Sequence, residues 1–383
     1  MDFSLTDDQQ ALRDKFAAFA HASLNDSSVE SDVLESFRRD RWMACAREGI
    51  LGLNIPKAYG GSGYDILSTI AALEGLGYGC RENALPFALN SQMWSVHPAI
   101  LKFGTEDQRQ KWLPRLCSGE KIGAFGITEE QTGSDAYAME ARARKVDDGY
   151  VLSGRKAYVT NAPVCDLAVV FAVTDPDAGR WGVSCFVVER GTDGFETSPA
   201  RNKMGMRTAQ MGDLLFEDCL IPTESRLGPE GVGVSMFTTA MESERGYIFA
   251  SQVGRMRKQL EEAIAYATER KAFGRSIGGF QSVSNRIANM KLRLDTARML
   301  LYRVAWLEEQ GRSVQLEAAL AKLHLSECFV ESSLDFIRIH GARGYVTEFE
   351  VERDLRDGVG GLIYSGTSDI QRNIIARMLG LKP

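Results

Sequence analysis

Apolar positions recur with a helical period in the first third of the chain. Leu12, Phe16 and Phe19 follow one another at steps of four and three residues, which places them on one face of a helix. Just before them, Thr6–Gln9 has the spacing of a capping box, a common helix start. Residues 1–121 are therefore predicted to form a helical N-terminal domain.

Short apolar runs bounded by Gly, Pro or Asp replace this pattern over residues 122–231. The wholly apolar or alternating runs at 166–173, 182–188 and 213–216 predict strands. The turn sequence at 147–149, Asp-Asp-Gly, is typical of a hairpin between two further strands. This part of the chain is predicted to be a small β-domain, either a barrel or a sandwich.

A long apolar seam marks the last part of the chain, residues 232–383. Its alternating steps of four and three predict a long helix in a bundle, with the seam in the bundle core or at a subunit contact. The whole chain is thus predicted to have an α+β fold with a helical N-terminal domain, a central β-barrel or sandwich and a C-terminal four-helix bundle. The seam consists of Val283, Ile287, Met290, Leu294, Ala297, Leu301 and Val304.

The composition is that of an ordinary globular protein. At 383 residues the chain is longer than one hydrophobic core usually supports, which agrees with several domains. With 25% charged residues, a net charge of -6 and no basic block, neither a nucleic acid nor an anionic membrane surface is an expected partner. No signal-peptide pattern or membrane-length apolar stretch occurs, so a cytoplasmic location is predicted.

Cysteine and histidine are scattered along the chain. The seven cysteines lack CxxC spacing, and the four histidines are isolated from one another in sequence. Metal sites usually show such residues in short, paired spacings. We therefore expect no metal site, and we expect the cysteines to be buried, reduced thiols.

The segment Tyr364–Arg372 runs from small hydroxyl and glycine residues into an apolar-periodic helix. A helix start of this kind offers free N–H groups to an anion or an electron-rich ring edge. The segment resembles the signature of the acyl-CoA dehydrogenase family, and the helical, β, helical order resembles that family over nearly the whole chain. The resemblance implies an FAD-dependent enzyme that desaturates acyl thioesters, usually as a homotetramer whose subunits complete one another's cofactor sites.

Further segments resemble the family's flavin-binding motifs, although neither GxGxxG nor a Walker A sequence is present. The resemblance places Thr128 at the isoalloxazine edge, Tyr158 over a flavin face and Arg270 on the pyrophosphate. Tyr158 stands where tryptophan is common, and Arg338 and Asp369 stand where glutamine is common. The cofactor contacts implied in this way are Phe125, Ile127, Thr128, Gly133, Ser134, Tyr158, Thr160, Arg270, Phe273, Gln281, Arg338, Gly341, Thr367 and Asp369.

Many members of the family carry their catalytic base directly after the tyrosine that corresponds to Tyr364. Here that residue is Ser365, which cannot serve as a general base. A second placement known in the family is a glutamate directly before an arginine, at the start of the helix that precedes the Arg270 motif, and Glu244-Arg245 fits it. Alone, Glu244 would be one more acid favoured at a helix start by the helix dipole. Together with Ser365, it is the predicted base.

Substrate contacts are implied by the same resemblance. They are Arg245, Ser134, Ser365 and Tyr364, with the backbone N–H of Ser365 as a donor to the thioester oxygen. Tyr247, Phe249 and Tyr364 could close a short pocket, or they could only pack in the core.

The stretches 161–163, 254–261 and 363–369 resemble the prolyl-carrier-protein dehydrogenases within the family. That resemblance implies a proline tethered through phosphopantetheine to a carrier protein, which is oxidised to a pyrroline or pyrrole thioester. The alternatives are a short- or branched-chain acyl-CoA dehydrogenase that acts on CoA thioesters, and a flavoprotein scaffold without catalysis.

Overall fold

The structure is a computed structural model that describes residues 4–381. The predicted capping box is confirmed, because the Thr6 hydroxyl accepts from the Gln9 N–H while the Gln9 side chain accepts from the Thr6 N–H. A π-helical turn, Gln92–Val96, interrupts the apolar helices that follow. The helices of this part are α1 (Asp7–Ser23), α2 (Ser28–Val33), α3 (Arg39–Arg47), α4 (Ile66–Gly79), α5 (Ala84–Ser91), α6 (His97–Phe103) and α7 (Glu106–Cys117).

The predicted strands form one continuous mixed sheet. Its order is β6-β7-β3-β2-β4-β5-β8, with β1 paired to β4 in parallel. The predicted hairpin joins β2 and β3, where Val146 pairs with Gly149 and the two aspartates form the turn. The strands are β1 (Gly123–Gly126), β2 (Arg142–Val146), β3 (Gly149–Thr160), β4 (Leu167–Val173), β5 (Val183–Glu189), β6 (Phe195–Thr197), β7 (Met211–Pro222) and β8 (Arg226–Leu227).

Strand β4 is apolar throughout because both of its faces are covered. Val170 lies in an apolar cluster formed within the β-domain, whereas Val169 and Phe171 lie in a second cluster. That second cluster includes Ile100 of α6 and Trp112 of α7. The β-domain is thereby packed directly against the N-terminal helices.

The C-terminal part is a helical bundle in which α8 to α11 pack against one another. The predicted seam lies on α10, where its central residues, among them Leu294 and Leu301, are buried. One apolar core is shared by the N-terminal and C-terminal helices. The elements are α8 (Gly233–Tyr247), α9 (Ala250–Glu269), β9 (Lys271–Ala272), β10 (Arg275–Ser276), α10 (Gln281–Glu309), α11 (Gln315–His340), α12 (Val351–Gly361) and α13 (Ser368–Met378).

Helices α4 and α9 approach so closely that only glycine fits between them. A Cβ on Gly254 would lie 1.9 Å from the carbonyl oxygen of Glu74. We expect Gly254→Ala to lower the free energy of unfolding by about 1–3 kcal/mol, because the two helices must move apart. Urea unfolding followed by circular dichroism measures this loss.

Gly279→Ala is the matched control, since a Cβ at Gly279 would meet only the Cδ of Arg275, at 3.9 Å. Its unfolding midpoint should stay at the wild-type value. Equal midpoints for the Gly254 and Gly279 variants would show that helices α4 and α9 accommodate a Cβ between them without loss of stability.

A buried polar network ties the three parts of the chain together. The Arg255 Nε of α9 donates to both carboxylate oxygens of Asp354 on α12, at 3.0 and 2.8 Å. Asn83, before α5, donates to Asp354 at 2.9 Å and to Asp357 at 3.1 Å. Asp357 also accepts from the backbone N–H of Met206, and burial raises the pKa of its carboxyl to about 6.

The expected cysteine chemistry is confirmed. All seven cysteines are free and buried, and burial raises the pKa of each of their thiols. Over residues 4–381 no helix is long and apolar enough to cross a membrane. Within the same range, His, Cys, Asp and Glu side chains form no group of three or more that could hold a metal ion.

Candidate active site

Glu244 is held at the junction of the helical domains by two serines. The hydroxyl of Ser95 donates to one carboxylate oxygen and the hydroxyl of Ser365 donates to the other. Glu244 lies in the last turn of α8, so the expectation that it begins a helix is wrong. The helix dipole disfavours a negative charge at that end, and the two hydroxyl donors compensate for it.

Ser95 belongs to the π-helical turn Gln92–Val96, and the sequence did not reveal it as a site residue. The Ser95 side chain is buried. At the start of the same turn, the side-chain amide of Gln92 accepts a hydrogen bond from the N–H of Gly123 at 2.7 Å and donates one to the carbonyl of Leu116 at 3.2 Å. The wide turn is thus fixed from both sides. π-Helical turns often occur at functional sites. In the sequence, Ser95 is one of several polar residues in a largely apolar stretch, and no local pattern singles it out.

Two residues of the loop before α13 have a left-handed backbone conformation. Ser365 and Gly366 both have positive φ, 57° and 86°. The carbonyl of Ser365 accepts from the Arg245 Nε at 3.2 Å and from the Gln371 side chain at 3.2 Å. Thr367 caps α13 by accepting from the N–H of Ile370. Arg245 and Ser365, predicted as substrate contacts, are therefore in direct contact with each other.

Tyr364 packs between two rings, with centroid distances of 4.6 Å to Phe87 and 5.5 Å to Phe249. Its hydroxyl is buried and has no hydrogen-bond partner in the described chain. Burial, together with the charges of Glu244 and Asp357, raises the pKa of this hydroxyl well above its usual value. An unpaired buried donor close to a carboxylate is a position where a ligand can bond.

Tyr247 packs in a different part of the core from Tyr364. Its ring packs on Trp94 at a centroid distance of 4.8 Å, and its hydroxyl donates to Glu308. Of the three aromatic residues considered for a short pocket, Phe249 and Tyr364 therefore stack together, and Tyr247 lies against another part of the core.

Arg245 is largely buried beside Glu244. Burial lowers the pKa of its guanidinium, and the negative charge of Glu244 opposes that effect. The ring of Tyr137 stands edge-on to that of Phe237 on α8, with the ring centroids 6.1 Å apart. Ser134, in the same loop as Tyr137, is exposed.

Several of the predicted flavin contacts lie on β1, on the loop that follows it and on β3. The N–H of Ala157 donates to the carbonyl of Thr128 at 2.8 Å, which joins the loop after β1 to β3. Behind this loop, the buried Lys156 donates to Glu129 at 2.8 Å and to the carbonyl of Ile127 at 3.2 Å. Burial lowers the pKa of the Lys156 ammonium, and Glu129 opposes the shift. The ion pair holds the loop against the strand.

Tyr158 projects from a bulge in β3. The register of β3 against β7 shifts between Lys156 and Val159, and Tyr158 has a φ of 58° and is 45% exposed. Its hydroxyl donates to Glu130 at 3.2 Å, and the Arg201 guanidinium lies 4.5 Å from the ring centroid. Thr160 ends the same strand, and Phe125 of β1 packs on Phe171.

The loop between β1 and β2 offers open space and an unpaired donor. A Cβ at Gly133 would meet no atom within 4 Å. The hydroxyl of Thr132 is buried without a hydrogen-bond partner among the described residues.

A second group of predicted cofactor residues lies in the C-terminal bundle. Arg270, Phe273 and Gln281 surround the β9–β10 hairpin, and Phe273 is 95% exposed with a φ of 50°. Tyr266, one turn before this hairpin, stacks on His340 at 4.2 Å, which brings the Arg338–Gly341 motif alongside. Asp369 is exposed and pairs with Arg372 at 3.1 Å. In the described chain no hydrogen bond joins the hairpin or the Arg338–Gly341 motif to Glu244.

A carboxylate held where two helical domains and a β-domain meet suits an enzyme that removes a proton from its substrate. Family models match the chain in three consecutive parts: the acyl-CoA dehydrogenase N-terminal domain over residues 6–120, the middle domain over 124–219 and the C-terminal domain over 231–380. The chain belongs to the acyl-CoA dehydrogenase family.

Individual relatives cover the whole chain. An L-prolyl-(peptidyl-carrier protein) dehydrogenase of Pseudomonas fluorescens is 41% identical over 382 residues, which is 100% of both chains. The crystal structure of the prolyl acyl carrier protein oxidase AnaB has a TM-score of 0.97 and 46% identity, and the match covers 99% of this chain and 100% of that one. The structure described as PigA with FAD and proline has a TM-score of 0.97 and 36% identity over 100% of both chains.

Proposed function

We propose that this protein is an FAD-dependent dehydrogenase of L-proline tethered as a thioester to a carrier protein, with Glu244 as its catalytic base. The observation that carries the proposal is the Glu244 carboxylate, held on one side by Ser95 and on the other by Ser365. A family member with serine at 365 needs its base from elsewhere, and this carboxylate lies in contact with that serine.

The residues of the β-domain fit a flavin. This part of the domain has open space at Gly133 and an unpaired hydroxyl at Thr132. The exposed ring of Tyr158 adds an aromatic surface against which a flavin ring could pack. Phe125, Ile127, Thr128 and Thr160 are proposed to line the isoalloxazine side of the site. Ser134 is proposed to contact the pyrophosphate or the substrate, and Thr367 and Asp369 complete the set of cofactor contacts. Bound FAD supplies the acceptor for the hydride that leaves the substrate.

Glu244 accepts the α-proton of the prolyl thioester in the proposed reaction. Its two serine partners fix the carboxylate in one orientation, and orientation of this kind contributes to the rate of proton transfer. Arg245 holds the carbonyl of Ser365, which fixes the loop whose N–H is proposed to bond the thioester oxygen. A single donor to such a developing negative charge is worth about 10²–10³ in rate.

The two groups of predicted cofactor residues support a homo-oligomer, which we propose to be a cytoplasmic homotetramer. Arg270, Phe273, Gln281, Arg338 and Gly341 are exposed on one subunit and would reach an FAD bound by a neighbour. Arg270 suits a pyrophosphate because its guanidinium forms bidentate bonds to phosphate oxygens. The very high exposure of Phe273 is that of an interface side chain.

The proposed substrate is tested by flavin bleaching. The FAD-loaded protein is mixed without oxygen with L-prolyl carrier protein, butyryl-CoA or isovaleryl-CoA, and flavin absorbance is followed. We expect the prolyl thioester to bleach the flavin at least about tenfold faster than either CoA ester, as a pocket shaped for the ring would discriminate. Carrier protein with free phosphopantetheine is the control and should leave the flavin oxidised.

Two other outcomes of this experiment would each point to a different function. Bleaching by the CoA esters alone would make it an acyl-CoA dehydrogenase for short or branched chains. A flavin that stays oxidised with every thioester would make it a scaffold without catalysis.

A further inference from the structure

The two serines that hold Glu244 differ in their exposure. Ser95 is 1% exposed and belongs to the π-helical turn, so the protein closes that side of the carboxylate. Ser365 and Glu244, in contrast, are only partly buried. A substrate therefore reaches the Glu244 carboxylate from the side on which Ser365 lies.

The proton of each serine hydroxyl is already used by Glu244. Ser95 donates to Oε2 of the carboxylate, and Ser365 donates to Oε1. A hydroxyl has one proton to donate and two lone pairs that accept. The Ser365 Oγ makes no second hydrogen bond within residues 4–381, so its remaining capacity is that of an acceptor. Next to the base, the protein thus offers lone pairs to a ligand that brings an N–H or O–H group.

The backbone at Ser365 fixes the position of this oxygen. Ser365 has a φ of 57°, a conformation that costs a residue with a Cβ about 1–2 kcal/mol and that glycine adopts without this strain. Its carbonyl accepts from the Nε of Arg245 and from the Gln371 side chain, each at 3.2 Å, which holds the loop in place. A serine kept in a strained conformation beside the base indicates a function for its side chain.

We propose that the side-chain oxygen of Ser365 accepts a hydrogen bond from the ring N–H of the prolyl thioester and thereby selects an α-aminoacyl group. The inference rests on the proposed function. In such a thioester the nitrogen is bonded to the carbon that carries the α-proton. Because one hydrogen bond joins Ser365 Oγ to Glu244 Oε1, an α-proton directed at Oε1 brings that nitrogen within reach of Oγ. A simple acyl thioester has a carbon there and leaves the acceptor unpaired.

Ser365 thus places two of the substituents on the α-carbon. Its backbone N–H is proposed to hold the thioester oxygen, and its side chain holds the nitrogen. Glu244, bonded to the same side chain, faces the α-proton. Three fixed points around one carbon determine which face of it meets the base, so the site favours one enantiomer.

The test compares L-prolyl carrier protein with cyclopentanecarbonyl carrier protein, whose ring has CH₂ in place of the nitrogen. The carrier protein is the same, so its docking contacts cancel. In the FAD-loaded enzyme without oxygen, the concentration dependence of flavin bleaching gives the Kd of the prolyl thioester, and competition against it gives the Kd of the analogue. We expect Ser365→Ala to bind the prolyl thioester about tenfold more weakly and the analogue within about twofold of the wild-type Kd.

Ser95→Ala is the matched control, since it removes the other hydroxyl bonded to Glu244. It should change the Kd of the two thioesters by the same factor, because it alters the support of the base and not the contact with the nitrogen. If Ser365→Ala does not fold, Ser365→Gly takes its place with the same expectation, because glycine is favoured at this φ.

Equal weakening of the two thioesters in Ser365→Ala would overturn the inference and leave the hydroxyl as a support of Glu244 alone. A loss confined to the prolyl thioester in Ser95→Ala would also contradict it. In both cases the prolyl thioester still bleaches the wild-type flavin, and the proposed function stands. A wild-type flavin that stays oxidised with the prolyl thioester would refute the proposed function, and this inference with it.

Discussion

Replacing Glu244 by glutamine is expected to slow oxidation of the prolyl thioester by about 10²–10⁴, the usual contribution of a positioned general base. An amide has the shape of the carboxylate, so the fold and the FAD content should be unchanged. It cannot accept the α-proton, and no other carboxylate bonds to Ser365 in the described chain. Stopped-flow measurement of flavin bleaching under saturating substrate gives the rate.

Glu242→Gln is the matched control for this variant. Glu242 lies on the same helix two residues earlier, and burial raises the pKa of its carboxyl, so it is a half-buried acid like its neighbour. Among the described residues it makes no hydrogen bond to Ser95 or Ser365. Its loss should leave the rate within about twofold, since it is not the group that accepts the α-proton. A Glu244→Gln enzyme with full FAD and the wild-type rate would remove Glu244 from the mechanism.

Asp354→Ala is expected to cost about 3–5 kcal/mol of folding free energy, because it leaves a buried arginine without its partner. Asp354 is 0% exposed, and Arg255, 5% exposed, bonds to it through Nε. Asn83 and Gln259 also donate to this carboxylate, at 2.9 Å each, so three donors lose their acceptor together. Urea unfolding of the purified protein measures the effect.

An exposed ion pair provides the comparison. Asp295 accepts from Lys291 one turn away on α10, and both side chains are exposed to water. Asp295→Ala should cost less than about 0.5 kcal/mol, as is usual for such pairs. If Asp354→Ala cost no more than Asp295→Ala, the network between the domains would not hold them together.

The local patterns of the chain predicted its elements well where neighbours in sequence are neighbours in space. The capping box at Thr6–Gln9 and the 147–149 turn involve residues a few positions apart, and both occur as predicted. The seam of α10 is also local, because one side of a helix repeats every three or four residues. The wholly apolar β4 was predicted as a strand, but only the structure shows that two separate clusters cover its faces.

In the candidate site, too, some features were predicted from the sequence and others are seen only in the structure. Glu244 was predicted from its arginine neighbour and from the serine at 365, and the structure joins Glu244 and Ser365 by a hydrogen bond. The serine on the other side of the carboxylate, Ser95, is 149 residues away in sequence. Nothing near Ser95 in the chain distinguishes it, since its role depends on a π-helical turn whose wide spacing is set by tertiary contacts.

By itself, the sequence determined the order of helices and strands and the family motifs, because each is recorded in residues close together along the chain. It also led, through the family resemblance, to the prediction that Glu244 is the base. The tertiary structure alone decided which polar groups are buried together, including the Ser95 donor and the Arg255–Asp354 pair. Burial and electrostatics depend on distance in space, and residues far apart in sequence carry no local sign of that distance.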